Sequence, residues 1–125
     1  PIACDEDVDN VTLTVRISGE YTTMSYDGNE YEVLVNGEVK SYPTVTIEGD
    51  PAAGLVACDD LIQICGVSLK KGANLIQLLT NNTKSVDGTT FKAHAPVVDC
   101  IKITTDAVVI WDENYGVPMV SNYAK

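Results

Sequence analysis

No segment of this 125-residue chain sustains apolar residues at the 3.6-residue spacing of a helix. That absence argues against a helical bundle and against the alternating strand and helix order of α/β folds. Basic residues are also scarce: 8 Lys plus Arg stand against 18 Asp plus Glu, a formal net charge of −10. Phosphate recognition needs clustered Lys and Arg, so nucleic acid is not an expected partner, and an anionic membrane surface would repel the chain. Long apolar runs are missing, and with them any expected membrane insertion. The longest, around Ala107 to Trp111 and Gly54 to Ala57, fall far short of the ~20 residues that span a bilayer. Catalytic signatures are equally thin. The single histidine, His94, sits in the loop-like Lys92-Ala-His-Ala-Pro96, with no Gly-x-Ser-x-Gly elbow and no cysteine–histidine signature beside it. Phosphate-cradling glycine loops of the GxxxxGK or GxGxxG kind do not occur. The expectation is a protein that is not an enzyme.

What is present reads as strand. Val11, Leu13, Val15 and Ile17 alternate with polar residues, the pattern of a half-buried strand from Val11 to Ser18. Tyr31 to Val35 runs into Asn36-Gly37, which supplies the positive φ angles of a tight hairpin. Thr44 to Glu48 gives a short strand. Leu61 to Leu69 and Leu75 to Thr80 flank the polar Lys70-Lys71-Gly72-Ala73-Asn74 and are expected to pair with each other. Val97 to Thr104 places Val97, Asp99, Ile101 and Ile103 on one face, and Ala107 to Trp111 adds a β-branched run. Breakers at Tyr26-Asp27-Gly28-Asn29, Glu48-Gly49-Asp50-Pro51 and Asp87-Gly88 mark the connections, and Gly49 to Asp60 has room for a helical turn or a long loop. One domain, residues 1–125, is predicted: all-β, an antiparallel β-sandwich.

Four cysteines, Cys4, Cys58, Cys65 and Cys100, allow three pairings, and no CxxC occurs. An exported domain with one or two disulfides is one reading and buried free thiols are the other; Cys65 with Cys100, then Cys58 with Cys65, are the first pairs to test. Acids gather at Asp5-Glu6-Asp7-Val8-Asp9-Asn10, at Asp59-Asp60 and at Asp112-Glu113-Asn114. The first cluster opens like an EF-hand, but its sixth residue is Asn10 rather than Gly and its twelfth is Arg16 rather than Glu, which excludes that motif. A looser calcium site and a solvated acidic turn both remain open. Asp99, on the apolar side of its strand, needs a cation or several donors to stay ionised there.

The aromatic inventory is one Phe, one Trp and six Tyr, several of them in turn-like segments. Such rings can stack on the apolar face of a sugar or lid the ends of a sandwich. Trp111-Asp-Glu-Asn-Tyr115 combines aromatics, carboxylates and an amide in one stretch, which makes Trp111 and Tyr115 the first candidates for a sugar platform. Trp111 can also be read as a core residue that ends an apolar strand, in which case Tyr21 and Tyr26 take its place.

Three stretches together carry a resemblance: Tyr31-Glu-Val-Leu-Val-Asn-Gly37, Val67-Ser-Leu-Lys-Lys-Gly-Ala-Asn-Leu-Ile-Gln-Leu78 and Ala95-Pro-Val-Val-Asp-Cys-Ile-Lys-Ile103. Their order resembles the carbohydrate-binding modules of families six, thirty-five and thirty-six, β-jelly-roll domains attached to glycoside hydrolases that degrade plant cell walls. Arg16 takes the place of an arginine in a strand of those families, and the likeness covers roughly residues 11 to 104. It implies a calcium ion held by Asp99, with Asp5, Asp7 and Asp9 standing in for a glutamate on a strand that this sequence does not show before Val11. It also implies a ligand site in loops at one end of the sandwich, with Asn81 and Asn82, in the connection Thr80 to Thr90, bonding sugar hydroxyls. The expected function is non-catalytic binding of a plant cell-wall polysaccharide by a secreted or cell-surface domain, covalently attached to neighbouring domains of an enzyme or adhesin. The chain begins at Pro1 rather than Met, as expected of an excised piece. The alternative is an immunoglobulin-like spacer of a cell-surface protein.

Overall fold

The computed structural model describes residues 1–112, and within them every regular element is a strand. In chain order these are β1 (Ile2–Cys4), β2 (Val8–Ser18), β3 (Met24–Tyr26), β4 (Tyr31–Val35), β5 (Glu38–Lys40), β6 (Val45–Ile47), β7 (Asp59–Leu69), β8 (Gly72–Asn74), β9 (Ile76–Thr80), β10 (Thr83–Val86), β11 (Thr89–Lys92), β12 (Val97–Thr104) and β13 (Val109–Trp111). All their pairings are antiparallel. The three-stranded sheets run β12-β2-β7, β5-β4-β9 and β13-β1-β8, and β3-β6 and β10-β11 are two-stranded.

The alternation along β2 is the organising feature. Val11, Leu13, Val15 and Ile17 are each 0% exposed, and they meet Tyr31, Val33 and Val35 of β4 and Ile62, Ile64, Val67 and Leu69 of β7 in one continuous hydrophobic cluster. Each such aliphatic side chain contributes about 1.5–3 kcal/mol when fully buried, so this cluster supplies most of the drive to fold. Asn36 and Gly37 sit at φ 51° and 81°, and Val35 pairs directly with Glu38, which is the two-residue hairpin that the sequence announces.

Several expectations are overturned. The strand from Leu61 to Leu69 does not pair with Leu75 to Thr80: β7 lies on β2 and β9 lies on β4. β7 and β2 are the two 11-residue strands and can pair along most of their length, while the connection between β7 and β9 carries a strand of its own, β8, which pairs with β1. Asn74 explains that detour. Its side chain is fully buried; Oδ1 accepts the Lys70 N–H at 2.8 Å and Asn36 Nδ2 at 2.9 Å, and Nδ2 donates to Lys70 O at 2.8 Å and Gly72 O at 3.1 Å. One amide thereby joins the β7–β8 turn to the β4–β5 hairpin. A strand does precede Val11, since β1 pairs with both β8 and β13. The Thr80 to Thr90 connection is not a loop but most of a second hairpin, β10–β11, turning at Asp87 and Gly88 with φ 50° and 76°.

All four cysteines are free thiols. Cys65 on β7 and Cys100 on β12 lie on strands that flank β2, two strand spacings or about 10 Å apart, beyond the reach of a disulfide.

Candidate binding site

An open pocket of about 80 Å³ forms where β2 ends and β12 begins, at the rung Ser18–Val97. The turn after β2, the β10–β11 hairpin tip and the loop before β12 converge there, bringing Glu20, Tyr21, Tyr26, Asp87 and His94 to one rim.

Close backbone packing holds the turn. A Cβ on Gly49 would lie 2.3 Å from the Thr22 carbonyl carbon and 2.5 Å from Thr23 N, and one on Gly19 would lie 2.6 Å from Glu48 O. Hydrogen bonds strap the same segments: the Asp50 N–H donates to Glu20 O at 2.8 Å, the Val56 N–H to Gly19 O at 3.1 Å, and the Ser18 hydroxyl to Val56 O. The segment from Gly49 onward is a turn rather than a helix, and Asp50 Oδ1 accepts the N–H groups of Ala52 and Ala53 at 2.9 and 3.0 Å. These two bonds hold its carboxyl below the usual carboxylate range. Tyr21 lies beside Gly54 and leaves 58% of its surface exposed.

Tyr26 is placed differently, with only 1% of its surface exposed. Its hydroxyl bonds His94 Nδ1, its ring stacks on the imidazole at 6.1 Å and 12°, and Lys84 Nζ lies 5.4 Å from its centroid while pairing with Glu30 at 2.8 Å. Burial, with smaller contributions from Glu30, Tyr31 and Glu20, pushes the Tyr26 hydroxyl up to about 12. The phenol is therefore protonated at neutral pH, and in neutral His94 it donates to Nδ1, which puts the ring proton on Nε2. Asn82 fixes the histidine: its Nδ2 donates to His94 O at 2.8 Å and Glu30 O at 2.9 Å, and its Oδ1 accepts the His94 N–H at 3.1 Å. The Asn82 amide is thus committed within the fold, whereas Asn81 is exposed and its backbone N–H donates to Glu30 O at 2.8 Å.

Trp111 stands elsewhere. It is 67% exposed on β13, opposite Ile2, beside an apolar groove that Ile76, Ile101 and Ile103 help to line, and no described residue lines both this groove and the pocket. A core role for Trp111 is excluded, and Tyr115 lies outside the described residues.

The carboxylates expected at a calcium ion do not converge. Asp99 is the extra residue of a β-bulge between the Val98–Ile17 and Cys100–Arg16 rungs, and its side chain is 51% exposed and paired with Arg16 Nε at 3.1 Å. The bulge breaks the alternation that would have turned Asp99 inward. Arg16 also reaches Asp60 at 3.2 Å, and Lys102 reaches Asp60 at 2.7 Å; the bond from Lys102 is the main reason that the Asp60 carboxyl lies below its ordinary range. Asp5, Asp7 and Asp9 are exposed at the opposite end of β2. Asp9 and Arg16 are seven positions apart, about 20 Å at ~3.3 Å per residue, so no single ion joins the first cluster to Asp99. Asp7 Oδ1 accepts the Lys71 N–H and Asp9 Oδ1 accepts the Ser68 hydroxyl, each at 2.8 Å. Among the described residues no three His, Cys, Asp or Glu side chains gather to hold a metal, so these positions do not fit the calcium cage that the resemblance implies.

Sequence reasoning missed His94, Glu20 and Asp87 as neighbours of Tyr21 and Tyr26. Only the Asp87-Gly88 turn signal could have brought Asp87 to a hairpin tip. No family model matches the chain, and comparison with curated proteins and with solved structures found no match.

Proposed function

We propose that the protein is a non-catalytic carbohydrate-binding module, a β-sandwich of jelly-roll type whose two main faces are the sheets β12-β2-β7 and β5-β4-β9. In this reading the domain is exported or displayed and directs an attached enzyme or adhesin to a polysaccharide. One observation carries it: an exposed aromatic ring, Tyr21, at the mouth of a pocket that Ser18, Glu20, Thr22 and Asp87 also line. An aromatic face takes the apolar C–H surface of a sugar, and neighbouring oxygens take its hydroxyls. Each neutral hydrogen bond adds only ~0.5–1.5 kcal/mol net because water competes for the same groups, so the ring should dominate affinity.

Affinity electrophoresis through xylan, mannan, glucan or pectin tests the reading. Retardation by one polymer is expected, with no new reducing ends after prolonged incubation. Tyr21→Ala should weaken retention at least about tenfold, some 1.4 kcal/mol, at a nearly unchanged melting temperature. If Trp111→Ala abolishes retention and Tyr21→Ala does not, the platform is on β13. Absence of retention on every polymer would overturn the reading.

A further inference from the structure

Glu20 and Asp87 both line the pocket, and among the described residues neither carboxylate has an ion pair or a side-chain hydrogen bond. The nearby cations are engaged elsewhere. Lys84, over the Tyr26 ring, pairs with Glu30 at 2.8 Å, while Arg16 and Lys102 are held by Asp60 and Asp99. His94 is the remaining basic group of the rim, and its Nδ1 is tied to the Tyr26 hydroxyl. Two uncompensated negative charges therefore stand beside an exposed aromatic face.

We propose that this pocket selects a cationic amino sugar, a glucosamine unit of a deacetylated glycan, whose ring stacks on Tyr21 while its ammonium faces Glu20 and Asp87. The inference rests on the carbohydrate-binding reading and narrows it. A quadrupolar ring face and two carboxylates attract a cation by independent means, cation–π and Coulombic, and both reject the carboxylate of a uronic acid. Acetylation of the amine removes the charge and adds bulk, so the acetylated sugar keeps only the stacking.

Titration calorimetry of the whole chain with hexamers of glucosamine and of N-acetylglucosamine, at mildly acidic pH, where the sugar amines are protonated, and at low ionic strength, provides the test. The wild type should bind the glucosamine hexamer at least about tenfold tighter than the acetylated one. Glu20→Gln with Asp87→Asn should remove that preference, weakening binding of the glucosamine hexamer about tenfold more than binding of the acetylated one. Because a protein of net charge −10 attracts any polycation, Glu6→Gln with Asp106→Asn serves as the control, deleting the same charge at the far end of β2. This control pair should retain the preference. The inference falls if the wild type shows no preference, or if the control pair abolishes it as fully as the pocket pair. Retention on a neutral polymer that is sensitive to Tyr21→Ala but shows no preference for glucosamine would overturn the inference alone. Failure to bind any glycan would remove the reading beneath it as well.

Discussion

Removing the Asn74 carboxamide strands polar groups on two turns at once. The Lys70 N–H and the Asn36 amide lose their acceptor, and Lys70 O and Gly72 O lose their donor. These partners lie on exposed residues, where water replaces part of what is lost, so Asn74→Ala should lower unfolding stability by about 1–3 kcal/mol in urea titration. Asn74→Asp keeps an acceptor but loses the Nδ2 bonds to Lys70 O, Gly72 O and Cys4 Sγ and buries a charge, and it should be no better tolerated. The sequence shows Gly72-x-Asn74 plainly as a motif. Its reason is invisible there, because Asn36 is 38 positions away and only the fold brings the two amides together.

Among the elements, those fixed by local chemistry were legible and those fixed by partner choice were not. The alternation of β2 and the Asn36-Gly37 turn depend on neighbouring residues alone. The pairing of β7 with β2 depends on matched strand length and on a buried amide, and the bulge at Asp99 inserts a residue without any local sign of it. The site shows the same division: Tyr21 and Tyr26 stand out as turn tyrosines, but the hairpin that delivers Asp87 and the loop that delivers His94 meet them only in three dimensions. Close approach is similarly unreadable from composition. Gly49 resembles any loop glycine, yet a methyl group there would overlap the backbone of Thr22 and Thr23. Gly49→Ala should therefore cost about 1–3 kcal/mol and, by displacing the turn that carries Tyr21, weaken glycan retention more than the stability loss alone explains. Gly37→Ala is the comparison. It has open space but a φ of 81°, so its cost of about 1 kcal/mol should leave binding untouched.

The described residues share one core, and three tyrosines among them titrate as part of it. Burial pushes the Tyr26 and Tyr31 hydroxyls up to about 12, and Tyr42, whose hydroxyl donates to Tyr31 O and to Asp27 O, higher still. The unfolded chain loses these protons near pH 10, before the folded chain does. Their contribution to stability is therefore complete below about pH 10 and falls as the pH rises from there toward 12. Melting temperature against pH should be flat on approach to pH 10 and drop above it, and the phenolate absorbance of the buried rings should appear together with unfolding. Tyr31→Phe removes one of these hydroxyls and should make the alkaline decline shallower.

The sheet β13-β1-β8 joins the first and last described strands. Ile2 faces Trp111, Cys4 faces Val109, and the Asp112 N–H donates to Pro1 O at 3.1 Å. A pull applied through Pro1 and Asp112 therefore enters the β1–β13 ladder at the same end of both strands. Load falls on one rung at a time, as when a zipper is opened, instead of being shared by all rungs as in a sheared ladder. A domain so connected gives way at low force. Under the proposed binding role this is no handicap, since holding a surface does not require a domain to bear tension between its neighbours.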